Sequence, residues 1–137
     1  MTAHFEILEH TADIGLQLSG DTIEEVFQAA GEGFAMLQGV WFPGVGEQRE
    51  VEVRAVDNAG LLAQWINELL YLQEAEDAVF GGFEVKSVTD GALQAVIRIA
   101  PRAERELEAV GVKAATYHKL RLERGSGGWT ADVYLDV

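Results

Sequence analysis

The residues best suited to chemistry in this chain are carboxylates at opposite ends of the sequence. Asp13 lies in the segment HTADIG, and Asp136 precedes Val137 at the C-terminus. A strand that runs into the C-terminus would hold the Asp136 side chain next to the α-carboxylate of Val137. If the fold also brings Asp13 there, three carboxylates converge, and they repel one another unless a cation or a proton intervenes.

Each carboxylate also has an ordinary structural interpretation. An Asp in a turn usually accepts hydrogen bonds from backbone N–H groups, and Asp136 alone is typical of a solvated strand end. The pair at the C-terminus favours metal binding, because an ordered strand end holds both of its carboxylates still. An all-oxygen ligand set suits Ca²⁺, Mg²⁺ or Mn²⁺ rather than Zn²⁺.

Three further side chains are candidates for the same site: Lys113, His10 and His118. A Lys near an acidic cluster lowers the repulsion there or binds phosphate, and the commoner alternative is a solvated Lys at the start of a strand. The two histidines have the chemistry of metal ligands or acid–base groups, although each is more often a hydrogen-bonded structural residue. With no Cys and three His in the chain, a nitrogen-based transition-metal site is disfavoured.

The composition restricts the partners. The chain has 10 Lys and Arg against 23 Asp and Glu, a net charge of −13. Direct RNA or DNA binding requires basic residues that neutralise phosphates, so we expect no nucleic-acid binding, apart from a small patch at Lys119, Arg121 and Arg124. Cations or a basic protein surface are the expected partners. The sequence also contains neither a Gly-rich phosphate loop nor a Gly-x-Ser-x-Gly elbow nor a zincin His pair.

The length and hydropathy predict one domain spanning residues 1–137. The N-terminus lacks a basic segment followed by an apolar run, and no window approaches 18 consecutive apolar residues. The absence of Cys fits a reducing compartment. We therefore expect a cytoplasmic protein that does not enter a membrane.

Apolar periodicity and turn residues predict the elements that must position these candidates. Thr22 and Glu25 form a capping box that opens a helix ending near Gly39, and Asp57 or Asn58 caps a second helix ending near Asp77. Strands are predicted at 5–9, 14–19, 50–54, 79–88, 93–100, 116–123 and 129–135, and the HTADIG segment up to Asp13 is predicted as a turn or bulge. The fold class is α+β, with two helices packed on a largely antiparallel or mixed β-sheet.

The chain resembles the archease family. The resemblance is carried by HTADIG, by the helix LLAQWINELLY at 61–71, by Lys113-Ala114 with Thr116-Tyr117-His118, and by the closing Asp136-Val137. It covers essentially the whole chain, with the motifs in the family's order. It implies an α+β domain that assists an RtcB-type RNA ligase. That ligase joins RNA ends carrying a 2′,3′-cyclic phosphate or a 3′-phosphate to 5′-hydroxyl ends, in tRNA splicing and RNA repair.

The resemblance further implies that the protein is an activator and not an enzyme. Archeases promote guanylylation of the ligase's active-site histidine, restore its turnover and broaden its nucleotide specificity. They bind a divalent metal through residues that match Asp13, Asp136 and Val137 here, and their functional Lys matches Lys113. We expect Ca²⁺ as the bound ion, with Mg²⁺ and Mn²⁺ as alternatives.

Two departures from the family pattern stand out. Relatives often carry Gly-Glu after the strand that here ends in Ile99-Ala100-Pro101-Arg102, and Ile or Val where Ala115 precedes Thr116. The first removes a candidate contact of that Glu, and the second is a packing change. Two other functions remain open: a stand-alone metal-dependent phosphohydrolase that uses the same carboxylates, and a general chaperone or adaptor that uses an exposed helix edge.

Overall fold

The computed structural model of this chain describes residues 3–9, 13–102 and 111–137. In these ranges the chain forms two helices and seven strands, which confirms the predicted α+β class. The helices are α1 (Ile23–Leu37) and α2 (Asn58–Glu76). The strands are β1 (His4–Glu9), β2 (Asp13–Gly20), β3 (Glu47–Arg54), β4 (Ala78–Thr89), β5 (Ala92–Pro101), β6 (Ala114–Gly125) and β7 (Gly128–Asp136).

The strands divide between two antiparallel sheets, a separation that the sequence pattern did not reveal. The first sheet has the order β1-β2-β7-β6, and the second has the order β3-β5-β4. Helix α1 packs against β1, β2 and β7 of the first sheet and against β4 of the second. Helix α2 packs against β6 and against all three strands of the second sheet. Each sheet therefore buries one face on the helices and leaves the other to solvent.

Local signals determine where the helices begin and end. The backbone N–H of Glu25 donates to Thr22 Oγ1 at 3.2 Å, and Thr22 N–H donates to Glu25 Oε1 at 3.0 Å, so the predicted capping box is present. Asp57 caps α2 by accepting from the N–H of Gly60 at 2.7 Å. Asp77, with a φ of 47°, ends α2 in the left-handed conformation. No helix in the described ranges is long and apolar enough to cross a membrane.

Two glycines of α1 permit close packing on both sides of the helix. A Cβ at Gly31 would lie 2.9 Å from Cγ of Phe83 in the second sheet, and a Cβ at Gly33 would lie 3.1 Å from Cγ of Phe5 in the first. The ring of Phe83 is itself enclosed, because Trp41 stacks on it at 5.5 Å and Trp65 meets its edge at 6.1 Å. This ring has little room to move away from α1.

We expect Gly31→Ala to destabilise the fold despite its better helix propensity. Alanine favours the helix by about 1 kcal/mol, but forcing a methyl group into a packed core costs about 1–3 kcal/mol; because the enclosed ring of Phe83 places this site toward the upper end of that range, we expect a net loss of up to about 2 kcal/mol. Gly33→Ala is the matched control, because Phe5 lies on an edge strand and is only partly buried. Urea unfolding of both variants measures the difference. A Gly31→Ala protein as stable as the wild type would contradict this account of the packing.

Candidate functional site

Asp13 and Asp136 are direct cross-strand partners. Strand β2 begins at Asp13, strand β7 ends at Asp136, and the antiparallel register pairs the two residues. Residues that face each other in this way have Cβ atoms about 4.5–5.5 Å apart on the same face of the sheet. Asp13 thus belongs to a strand and not to the turn predicted for its segment. The remainder of that segment, His10 to Ala12, lies outside the described residues.

The alternation of the strands places this pair on the outer face of the first sheet. Leu16 and Leu135 are completely buried on the helix side. Because side chains alternate along a strand, Asp13 and Asp136 point the other way, and Asp13 is partly buried while Asp136 is exposed. The pair lies at one end of the sheet, on the face turned away from the helices.

A third strand supports the same end of the sheet. Ala114 of β6 pairs with Asp136 on the side opposite Asp13. The backbone N–H of Lys113 donates to the carbonyl oxygen of Asp136 at 2.8 Å. Asp136 is therefore held between two strands up to the penultimate residue. Val137 follows it and is 38% exposed, and Lys113 is also exposed.

The electrostatics of the pair favour a cation. Like charges directly opposite each other on a sheet are destabilising. Within the described residues neither Asp13 nor Asp136 forms an ion pair, since the ion pairs present there join other residues. Two facing carboxylates form an all-oxygen donor set, which Ca²⁺, Mg²⁺ and Mn²⁺ prefer. The chemistry of the residues present therefore fits a hard divalent ion.

The side chains alone do not complete a metal-binding cluster. Among the described residues no group of three or more His, Asp and Glu side chains is arranged to hold a metal ion. Asp13 and Asp136 would supply two ligands, and the α-carboxylate of Val137, the third ligand expected from the sequence, adjoins Asp136 in the chain. A metal site here would therefore need a main-chain carboxylate in addition to the two side chains.

His118 lies in a bulge of β6 and not beside the carboxylates. Thr116 pairs with Tyr134 and Arg121 pairs with Asp132, so residues 117–120 face a single residue of β7. The His118 side chain is exposed, and its backbone N–H donates to Thr116 Oγ1 at 3.3 Å. No hydrogen bond or ion pair links it to Asp13 or Asp136 in the part of the chain that the structure describes. His10 is among the residues that the structure does not describe.

The basic patch considered from the sequence is partly neutralised. Arg121 Nε donates to Asp132 Oδ2 at 2.8 Å, and Arg121 also donates to Glu123 Oε2 at 2.9 Å. The hydrogen bond that Arg121 donates to Asp132 raises the pKa of Arg121 above its ordinary value, and the charge of Asp132 adds to the effect. Lys119 Nζ lies 5.9 Å from the ring centroid of Tyr134. Arg121 is therefore committed to neighbouring acids, which weakens the patch as a phosphate-binding surface.

Sequence reasoning missed two amide side chains that hold the strand next to the site. Asn67 bonds the backbone of Ala115, and Gln38 bonds the backbone of Val112. The signal available was weak. Asn67 is a polar residue within the apolar helix segment 61–72, and Gln38 lies in the helix terminus before Gly39. Neither position indicates by itself which backbone group the amide meets.

Fold and site together define a class of protein: a small, acidic α+β domain that places two facing carboxylates at the end of an antiparallel sheet. The model of the archease protein family matches residues 5–137. The archease of Methanosarcina mazei is 35% identical, over 97% of this chain and 95% of its own. The archease of Pyrococcus furiosus is 36% identical, over 97% and 98%. The chain therefore belongs to the archease family.

Solved structures agree with this assignment. The solution structure of protein 1598 of Methanobacterium thermoautotrophicum has a TM-score of 0.79 and 28% identity, and the match covers 97% of this chain and 98% of that one. The crystal structure of a Thermotoga maritima archease, described as a possible chaperone, has a TM-score of 0.68 and 23% identity, with 95% and 94% covered. The second match supports the fold alone.

Proposed function

We propose that this chain is a metal-binding protein cofactor that activates an RtcB-type RNA ligase of tRNA splicing and RNA repair. It promotes guanylylation of the ligase and so sustains multiple turnover, and it broadens the nucleotides that the ligase accepts. It acts in the cytoplasm and is not itself the catalyst. The observation that carries the proposal is the register pairing of Asp13 with Asp136, in a chain that belongs to the archease family.

In this proposal Asp13, Asp136 and the α-carboxylate of Val137 hold a divalent ion, Ca²⁺ in the first instance and Mg²⁺ or Mn²⁺ as alternatives. The ion offsets the repulsion of the carboxylates and adds a positive charge near the phosphates that the ligase handles. Lys113 supports the same site. Its side chain is exposed beside the end of β7, where an ammonium group offsets negative charge or contacts a phosphate. His10 and His118 remain candidates for contact with the ligase.

The charge of the chain supports a protein partner and not direct binding of RNA. A net charge of −13 opposes the approach of a polyphosphate, whereas the basic rim of an RNA-binding enzyme attracts it. Such complementarity accelerates encounter and makes the association rate fall as salt is added. The ligase would hold the RNA, while the end of the first sheet that carries the two Asp residues faces its active site.

The C-terminus provides a sharp test of this mechanism. A short peptide added after Val137 converts the α-carboxylate to an amide and crowds the site. We expect the stimulation of guanylylation to fall at least about 10- to 100-fold, because loss of a ligand should cost no less than loss of a residue that only supports a ligand. The control carries the same peptide at the N-terminus, because β1 begins at His4, which pairs with Ser19 at the opposite end of the sheet. This control is expected to stimulate as the untagged protein does.

The measurement is single- and multiple-turnover guanylylation of the cognate RtcB-type ligase with GTP and divalent metal, with and without this protein. Equal stimulation by the C-terminally extended and untagged forms would rule out a role for the terminal carboxylate. No stimulation by any form would contradict the proposed function. In that case, phosphate release without a ligase would support a phosphohydrolase, and suppression of aggregation of unrelated proteins would support a chaperone.

A further inference from the structure

The side-chain amide of Asn67 pairs with the backbone at the outer edge of β6. Its Oδ1 accepts from the backbone N–H of Ala115 at 2.7 Å, and its Nδ2 donates to the carbonyl oxygen of Ala115 at 3.2 Å. Among the described residues, strand β6 is the last in the first sheet, so its outer backbone groups have no neighbouring strand within those ranges. One amide on α2 satisfies both groups of Ala115, as a paired residue of another strand would.

Gln38 bonds one backbone group three residues earlier, the N–H of Val112. Its side chain is almost completely buried, with the residue 4% exposed, and it is the only buried polar residue among those the structure describes. Its Oε1 accepts from the backbone N–H of Val112 at 2.8 Å, and its Nε2 donates to Gln73 Oε1 at 3.1 Å. The bond to Gln73 fixes the amide so that its oxygen faces Val112. Buried polar groups are costly unless they are hydrogen-bonded. Any other orientation of the Gln38 amide that broke these two hydrogen bonds would therefore be unfavourable.

Lys113 lies between these two contacts. Its own N–H donates to the carbonyl oxygen of Asp136 at 2.8 Å. The last residues of a chain usually fray unless something ties them down. Here the residue that ties down Asp136 is itself held on one side by the C-terminal end of α1 and on the other by α2. Hydrogen bonds hold the backbone on both sides of Lys113, whereas its side chain is exposed.

We propose that Gln38 and Asn67 are positioning residues of the site formed by Asp13 and Asp136. They hold the backbone of residues 112–115, so that the N–H of Lys113 keeps Asp136 in register with Asp13. The helices thereby set the geometry of a site on the opposite face of the sheet. This inference rests on the proposed function in taking the carboxylates as metal ligands.

Asn67→Ala tests the inference, with Gln64→Ala as the matched control. Gln64 lies one turn earlier on the same helix and donates to the hydroxyl of Tyr117 at 2.8 Å, so it also joins α2 to β6, but by a hydrogen bond outside residues 112–115. In Asn67→Ala we expect amide hydrogen exchange at Lys113 to rise at least about 10-fold and the Kd for Ca²⁺ to rise by about the same factor. In Gln64→Ala both quantities stay within about twofold of the wild type.

A second variant distinguishes a local effect on residues 112–115 from a general loss of structure. Gln38→Met preserves length and buried volume while removing both hydrogen bonds, and it should also raise exchange at Lys113 and weaken Ca²⁺ binding. Unchanged exchange at Lys113 in both variants, or faster exchange with unchanged Ca²⁺ affinity, would overturn the positioning role. Equal effects from Gln64→Ala would also overturn it. A wild-type protein that binds no Ca²⁺ would instead contradict the proposed metal site, and exchange at Lys113 would still decide whether the two amides hold this strand.

Discussion

Replacing either Asp13 or Asp136 by Asn is expected to abolish metal binding and ligase stimulation while leaving the fold intact. Asn has nearly the same shape but removes the charge that a hard cation requires. The Ca²⁺ affinity should fall at least about 100-fold, beyond the usual cost of losing an indirect support of a metal site. Titration calorimetry with Ca²⁺ measures the first effect, and guanylylation of the ligase measures the second.

The same substitutions should change the stability of the fold in opposite directions without and with metal. Without metal, Asn at either position removes a repulsion between facing charges, so the free energy of unfolding should rise by about 0.2–1 kcal/mol. If the proposed ion binds the folded state and not the unfolded chain, added metal should stabilise the wild type, and the variants should lose that gain. Thermal unfolding with Ca²⁺ and with a chelator separates the two contributions. A variant that is less stable than the wild type in chelator would contradict the electrostatic argument.

Asp90→Asn controls for the change in net charge. Asp90 lies in the turn between β4 and β5 with a φ of 49°, a conformation that Asn also tolerates. The substitution removes one negative charge far from the pair, and both Ca²⁺ affinity and stimulation should remain at the wild-type level. If Asp90→Asn impaired stimulation as strongly as Asp136→Asn, the acidity of the whole chain, and not the carboxylate pair, would account for the effect.

Trp65→Ala is expected to cause the largest loss of stability of any substitution considered. Trp65 is completely buried on α2. Its Nε1 donates to the carbonyl oxygen of Phe27 on α1 at 2.8 Å, and its ring meets Phe83 of β4 edge-on. It therefore joins both helices to the second sheet. Truncation of a buried Trp costs about 3–5 kcal/mol, a large part of the total stability of a typical domain.

Trp65→Phe separates the contributions of ring volume and hydrogen bonding. It keeps an aromatic ring but leaves the carbonyl oxygen of Phe27 without its indole donor, so we expect a loss of about 1–3 kcal/mol. Urea unfolding of the two variants and the wild type provides the comparison. A loss below about 1 kcal/mol for Trp65→Ala would mean that the helices are held to the second sheet mainly by other residues.

Wherever a signal is local, the sequence predicted the structure well. The capping box at Thr22 and the end of α2 at Asp77 are confirmed, and of the two candidate caps of α2 the structure selects Asp57. These features depend on backbone conformations and hydrogen bonds between residues a few positions apart. The apolar periodicity of the helices depends on neighbours in the same way, so the buried faces of both were predictable.

Features that depend on residues far apart in the sequence were harder to predict from the sequence. The sequence did not distinguish two sheets from one, because strands of either sheet show the same alternation. The bulge at 117–120 was also missed, because its residues resemble those of a regular strand and only the pairing with Tyr134 and Asp132 exposes the extra length. Asn67 and Gln38 were overlooked as supports for the same reason: their partners are backbone groups of residues 48 and 74 positions away.

By itself the sequence determined which groups are available for chemistry: an Asp in HTADIG, an Asp followed by Val137, and a chain too acidic to favour nucleic acid. Those properties follow from residue types and total charge, which do not depend on folding. Only the tertiary structure decided that Asp13 faces Asp136, because the register between β2 and β7 is set by packing Leu16, Leu135 and their neighbours against the helices. A shift of one residue would turn the carboxylates to opposite faces, so the buried core is what brings the two charges together.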